Sequence, residues 1–448
     1  MAIENTLIYK EFEQIANSGS KALYALWSCE IYAGKEMIKP FRIKTIDINR
    51  NYDTEFSDVI VMEAMIPEGT FNSKIRPFED NLEVQLFKNP LGEVGTTPNQ
   101  EVNTESQRYR ATIIEDGTTV IKKATPSNLD VEGADLSNLK TVYFQLVDVV
   151  TEQLRMRTTG GIFIDSIPAI VLRTILGKES KKVSASGDQM VRGVDLVEPS
   201  NNKVYKHVII PEGTRVVDLP KYIQEKCNGI YSAGIGYYLQ KGLWYIYPLF
   251  DIERYPKTPK TLTILNIPEN KFPNIERTYR VTGNQLIVLS TAGLKHFDDS
   301  ESLQLNEGNG VRFTDASVIV EGFGKHKPGE YVVDRKVNNT EMMFEKRKTG
   351  HNHTPVARDP ISSNPFVEYS RMARRAVTHV QMVWENSNDS LIYPGMPCKV
   401  VYENNNEVEE VEGIVLRAHH FITGQGQSMV DSRHITQTVL TIIIKRLV

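Results

Sequence analysis

Apolar residues in the first third of the chain fall largely on every second position. Phe41 and Ile43, then Ile46 and Ile48, do so within 39–49, and strand candidates follow at 59–66, 82–87 and 108–114. Alternation of this kind sets one face of a strand on a core and leaves the other in solvent. The β-branched and aromatic content of 23–33, around Tyr24, Trp27 and Tyr32, supports the same state. Residues 140–156 form the longest strand candidate, and turn-rich stretches at 89–92 and 95–103 separate the others. Several strands, frequent turns and no strong helix predict a barrel or sandwich over 1–165.

The period changes near Asp165. Val171, Leu172, Ile175 and Leu176 share one helical face behind Pro168, with Ser166 as the expected cap and Gly177 as the expected stop. A polar loop is predicted over 179–203 and a short strand over 207–211. A second helix starts behind Asp218 and Pro220 and stops near Gly229. Gly236-Tyr237-Tyr238-Leu239 and Leu243-Trp244-Tyr245-Ile246-Tyr247 flank Gln240-Lys241-Gly242, a hairpin signal. Strand, turn and strand recur over 260–290. The polar span 291–363 carries short strand candidates at 311–320, 331–335 and 341–346, and is too long for a plain loop.

Residues 366–402 are the most informative stretch. Phe366, Tyr369, Ala373, Ala376 and Val380 recur at three and four residues, with Asn364 placed to cap and Pro365 at the first helical position. The period then becomes two through Val380, Met382 and Trp384, and the polar run 385–390 ends the strand. Leu391-Ile392-Tyr393-Pro394-Gly395 leads into a further strand at 399–402. Pro394 presets φ and Gly395 can take a positive φ, so a tight structural turn is expected there.

Composition narrows the function classes. The 448 residues are 40% hydrophobic and 24% charged, which fits several soluble domains. A net charge of −4 gives no global basic footprint for nucleic acid or an anionic membrane. The first residues show no signal-peptide pattern, and no apolar run approaches the ~18 residues of a membrane helix. Cys29, Cys227 and Cys398 are far apart and read as reduced thiols.

Candidate chemistry is sparse. His351-Asn352-His353 has the letters of a nuclease motif but is contiguous rather than spread over a metal site. His419-His420 falls on a strand, where neighbours point to opposite faces, one packed and one exposed. Gly322-Phe323-Gly324-Lys325 lacks the spacing of a phosphate loop. Glu79-Asp80 and the cluster of Glu407, Glu409 and Glu410 read as acidic surface turns. Lys346-Arg347-Lys348 and Arg371, Arg374 and Arg375 are the basic clusters. No catalytic, cofactor-binding or metal-binding residue is assigned. In the aromatic hairpin one alternate set is core and the other interface, so Tyr238, Trp244 and Tyr247, with Arg371, Arg374 and Arg375, are the possible interface residues.

The helix, strand and Ile392-Tyr393-Pro394-Gly395 turn of 366–402, preceded by the capped helices, the aromatic hairpin and Asn266-Ile267-Pro268, resemble the baseplate central hub proteins of contractile-tailed bacteriophages. The tail-tip proteins of related injection machines look alike here. The likeness covers 165–448 by its elements and 1–165 by architecture. It implies a mainly β fold with α+β insertions. A first tail-tube-like β-barrel would occupy 1–165 and an α+β middle domain 166–255. A discontinuous second barrel would occupy 256–292 and 366–448, with an inserted domain at 293–365. It also implies a structural virion protein in the tail baseplate, assembled in the host cytoplasm. As a homotrimer it would adapt a sixfold tail tube to a threefold spike. Expected partners are the tail tube protein, other baseplate proteins and a separate tail spike protein, since the sequence stops at Val448 just after its last strand. DNA would pass the channel without specific binding, and no stable membrane insertion is expected. The alternative is a tail-associated enzyme that degrades cell wall or sugar.

Overall fold

The computed structural model describes residue 15 and residues 25–90, 105–115, 139–183, 190–268, 277–291, 295–297, 312–315, 342–346, 354–357, 364–375, 377–404, 407–425 and 433–445. The protein is mainly β. Strands β1 (Ala25–Ala33), β2 (Glu36–Ile38), β3 (Arg42–Asn51), β4 (Val59–Pro67), β5 (Leu82–Pro90), β6 (Glu105–Glu115) and β7 (Leu139–Asp148) come first. Val142, Phe144 and Leu146 of β7 point inward on alternate positions and meet Ile31, Ile46, Met62 and Val84 in one core. The expected strand over 140–156 stops at Asp148. Its carboxylate accepts from Val150 N (2.9 Å) and Thr151 N (3.0 Å). That cap winds the rest of the run into helix α1 (Val149–Arg155).

A middle unit follows, with β8 (Thr158–Ser166), α2 (Pro168–Ser180), β9 (Gly193–Leu196), β10 (Tyr205–Arg215), α3 (Leu219–Lys226), β11 (Ile235–Gln240) and β12 (Leu243–Pro248). β8 and β10 form an antiparallel ribbon, and β11, β12 and β9 a three-stranded sheet. Leu172, Leu176, Ile223 and Trp244 share its core. α2 does not stop at Gly177. It continues to Ser180, whose hydroxyl accepts from Trp244 Nε1 at 2.9 Å and ties down the last turn. Ser166 does not cap it either, because its hydroxyl bonds Ile164 O. The span 179–203 is not all loop, since β9 pairs in parallel with β12.

The remaining elements are β13 (Thr261–Asn266), β14 (Tyr279–Thr282), β15 (Gln285–Ser290), β16 (Lys295–Phe297), β17 (Arg312–Asp315), β18 (Met342–Lys346), β19 (Thr354–Ala357), α4 (Pro365–Arg375), β20 (Val377–Trp384), β21 (Pro397–Asn404), β22 (Glu407–Gln425) and β23 (Arg433–Lys445). β17, β18 and β19 form their own small sheet, while β16 pairs with β20.

The hairpin of β22 and β23, with strands of 19 and 13 residues, organises the molecule. The two strands pair from Gly413↔Ile444 to Gln425↔Arg433. The first part of β22 pairs with β21, and its second part pairs with β3 from Arg417↔Asn51 to Thr423↔Thr45. β23 pairs with β20 toward its end and meets β1 at Ala25↔His434. Strands β22-β3-β4-β7-β6-β5-β1-β23 therefore close into one barrel through the β22–β23 pairing. The N-terminal region supplies six of these eight strands, and the hairpin supplies the other two.

The same hairpin is part of a second curved sheet, β15-β13-β21-β22-β23-β20. Thr291 N and Ser290 Oγ both donate to Val383 O at 3.0 Å and draw β15 to β20. Leu262, Ile264, Val288, Met382, Trp384, Val400 and Ile442 fill this second barrel. A β-bulge between Val415 and Arg417 lies where β22 passes from one barrel to the other. A bulge resets side-chain alternation and bends the strand, which this crossing requires.

Candidate functional site

Where the two barrels and the middle unit meet, the core is polar. On β3 the inward phase reads Ile46, Ile48, Arg50, so the last of these sends a guanidinium where an apolar group is expected. On β5 the same phase reads Val84, Leu86, Lys88, and on β22 it reads Ala418, His420, Ile422. These side chains converge with Asp389, from the polar run after β20, and Asp58, from the loop after β3. Arg50 is 4% exposed and His420 is fully buried.

Hydrogen bonds saturate the cluster. Arg50 Nε pairs with Asp58 Oδ2 at 3.3 Å. Its Nη1 donates to Asp389 O (2.5 Å), Ile392 O (3.3 Å) and His420 Nε2 (3.0 Å). Arginine can only donate, so His420 Nε2 is the acceptor and its proton sits on Nδ1. Nδ1 faces Thr438 Oγ1 at 2.7 Å, and Thr438 in turn meets Ser387 Oγ at 2.5 Å. Lys88 Nζ donates to Asp389 Oδ1 (2.7 Å) and Ser390 Oγ (2.8 Å). Gln240, at the tip of the middle unit's hairpin, donates to Asp58 at 3.3 Å. Arg50 also lies over the Tyr393 ring, 4.5 Å from its centroid.

The electrostatics follow from this geometry. Burial, with Arg50 beside it, holds His420 well below the ordinary imidazole range, so the ring is neutral. Burial opposes ionisation of Asp389, but the Lys88 ammonium and the Arg50 guanidinium outweigh it and lower its pKa. Burial and Asp58 push Tyr52, which bonds Asp58, well up. A cavity of about 480 Å³ opens beside the cluster at the mouth of the first barrel, lined among others by Trp27, Lys88, Tyr109, Asp148, Gln240 and Tyr393. Around it Arg50 pairs with Asp58, Lys88 with Asp389 and, at the rim, Lys241 with Glu105. What this arrangement does well is fix the angle between three units.

A second contact between units is aromatic. Gly395 has φ +86° in the turn before β21, and its N–H donates to Val415 O at 2.7 Å. The Tyr247 ring lies against it, where an added Cβ would stand 2.7 Å from the ring. Gly236, the cross-strand partner of Tyr247, lies closer still to the same ring, where an added Cβ would stand 2.5 Å away. Tyr247 is thus clamped between two glycines. Tyr238 stacks on Tyr52 with centroids 4.2 Å apart, so the first barrel joins the same cluster.

Tyr238, Trp244 and Tyr247, expected at an interface, are all buried within one chain. Trp244 belongs to the middle core, while Tyr238 and Tyr247 join the middle unit to the barrels. Arg374 on α4 is half-buried, and the side chains of Arg371 and Arg375 lie outside the described residues. Pro394 and Gly395 are buried in the turn itself. His420 and His419 point to opposite faces, and His419 bonds Asp47 at 2.5 Å. His351, His353 and the segment around Gly322 lie outside the described residues, and no described group of three or more His, Cys, Asp or Glu could hold a metal. The three thiols are buried, which pushes Cys29 up to about 12 and Cys227 up to about 11. No helix among the described residues is long and apolar enough to cross a membrane.

No family model matches the sequence, and no curated protein matches it. Among solved structures, the chain is similar to the 43 kDa tail protein of prophage MuSo2 from Shewanella oneidensis, with 10% identity and a TM-score of 0.46 over 94% of this chain and 100% of that one. It is similar to the tail protein from Neisseria meningitidis MC58, with 10% identity and a TM-score of 0.42 over 93% and 96%. It is also similar to the E. coli c3393 protein, a component of the type VI secretion system, with 8% identity and a TM-score of 0.41 over 93% and 77%.

Proposed function

We propose that this chain is the central hub of a phage-like contractile-tail baseplate, a structural protein of the virion. The observation that carries this reading is that one chain holds two β-barrels fused through a single hairpin. It is joined by the sequence resemblance of 366–402, with its Ile392-Tyr393-Pro394-Gly395 turn. Three copies would offer six barrels, so a threefold assembly could match a sixfold tube on one side and a threefold spike on the other. The tail tube protein, a separate spike protein and other baseplate proteins are the partners this reading names. The work of such a protein is geometric, which suits a polar core that fixes angles. Mass measurement of the purified protein tests the reading directly. Three subunits of 50.8 kDa are expected. A protein that stays monomeric at every concentration, or one that cleaves cell wall, would argue for the enzyme instead.

The channel of such a ring would let DNA slide and not stick. A basic lining would hold phosphates through many salt-sensitive contacts. With a net charge of −4, a neutral or acidic lumen is the consistent arrangement, with Arg374 turned to neighbouring subunits or solvent. A gel-shift titration at physiological salt should show no tight DNA binding, and nanomolar retention would contradict the arrangement.

A further inference from the structure

We infer that the polar junction is an acid-sensitive latch, in which uptake of one proton by His420 breaks its bond to Arg50 and loosens the C-terminal hairpin from the first barrel. Arg50 Nη1 and His420 Nε2 are 3.0 Å apart in a fully buried site, and only the ring nitrogen can accept. A proton on Nε2 turns the acceptor into a donor facing a donor. The other ring nitrogen offers no escape, because Nδ1 is engaged with Thr438.

The charged groups around the ring reinforce the effect. Arg50 from β3, Lys88 from β5 and His419 on β22 all disfavour an imidazolium. Asp389, after β20, favours it, but its carboxylate is already held by Lys88 at 2.7 Å. Thr438 on β23 is uncharged. The consequence is local. β22 meets β3 between 417 and 423, and Arg50 is the one side chain there that also holds Asp389 O and Ile392 O of the second barrel. Losing its bond to His420 weakens the point that ties both barrels together. The latch does not depend on the hub reading, since it is a property of the single chain.

Hydrogen exchange of the 417–423 amides, corrected for the intrinsic pH dependence of exchange, tests it on the full chain between pH 7.5 and 5. Opening returns His420 to an ordinary pKa near 6.5, so the opening constant should rise up to about tenfold per pH unit below that value. In His420→Gln the amide oxygen can accept from Arg50 and the NH2 can donate to Thr438, with nothing to titrate, so the rise should disappear. An equal rise in both proteins would overturn the latch. If the variant does not fold, the histidine ring resonances of the wild-type protein decide the matter. Neutral Nδ1–H signals that persist at pH 6 are expected, and a ring that titrates near 6.5 in the intact fold would overturn it.

Discussion

Gly395 and Gly283 both have positive φ, +86° and +57°, yet their surroundings differ. A methyl group on Gly283 would meet nothing within 4 Å, whereas on Gly395 it would run into the Tyr247 ring. Gly283→Ala should cost only the left-handed backbone penalty, about 1–2 kcal/mol. Gly395→Ala should cost that and a displaced ring, about 3 kcal/mol or more in total. Urea midpoints of the two variants would separate them, and equal losses would refute the clamp. Arg50→Met is a harsher change. It removes the charged partner of Asp58, which keeps its bonds from Tyr52 and Gln240, and the donor to the buried Asp389 carbonyl, for which about 3 kcal/mol is expected. A second change, Asp58→Asn, should return part of that loss in the same assay, and strict additivity of the two losses would speak against the pair. The signal for this cluster was present in the sequence as a polar side chain in the apolar phase of a strand, at Arg50, Lys88 and His420. Reading it required knowing that the three strands meet, and no local pattern says that.

Local chemistry decided several elements. Asp148 ended a strand that the apolar run alone would have continued, because two backbone N–H groups lie within reach of its carboxylate. Asp148→Ala should lower stability by about 0.5–2 kcal/mol, read as a drop in Tm, and an unchanged Tm would show that α1 needs no cap. The β11–β12 hairpin, the start of α4 behind Asn364 and the turn at Gly395 are short-range features, and each was legible from spacing. The spacing of the aromatic residues in that hairpin predicted one packed and one interfacial set, and Tyr238, Trp244 and Tyr247 are all buried in the chain. Their partners lie within the same chain because the hairpin rests on Tyr52, Ile414 and Ile443, far away in sequence. The double membership of β22 could not be read at all. Gly413 to Leu416 are buried in succession and alternation resumes only after the bulge at 415–417, but no local pattern names the strands that cover each part.

At the scale of the molecule, stability should fall in two steps on acidification. His420 has a depressed folded pKa, so its contribution is complete above about pH 6.5 and declines as pH falls below that. Asp389 also has a depressed folded pKa. Its contribution is complete above the ordinary carboxylate value of about 4 and is lost below it. Denaturant midpoints from pH 8 to 3 should show both losses, and His420→Gln should remove the upper one. In the proposed function one chain supplies two barrels to a closed ring of three. Class averages of the purified oligomer, viewed down its axis by electron microscopy, test it most directly. Six lobes around a central channel with threefold symmetry are predicted, and isolated two-lobed particles at all concentrations would contradict it.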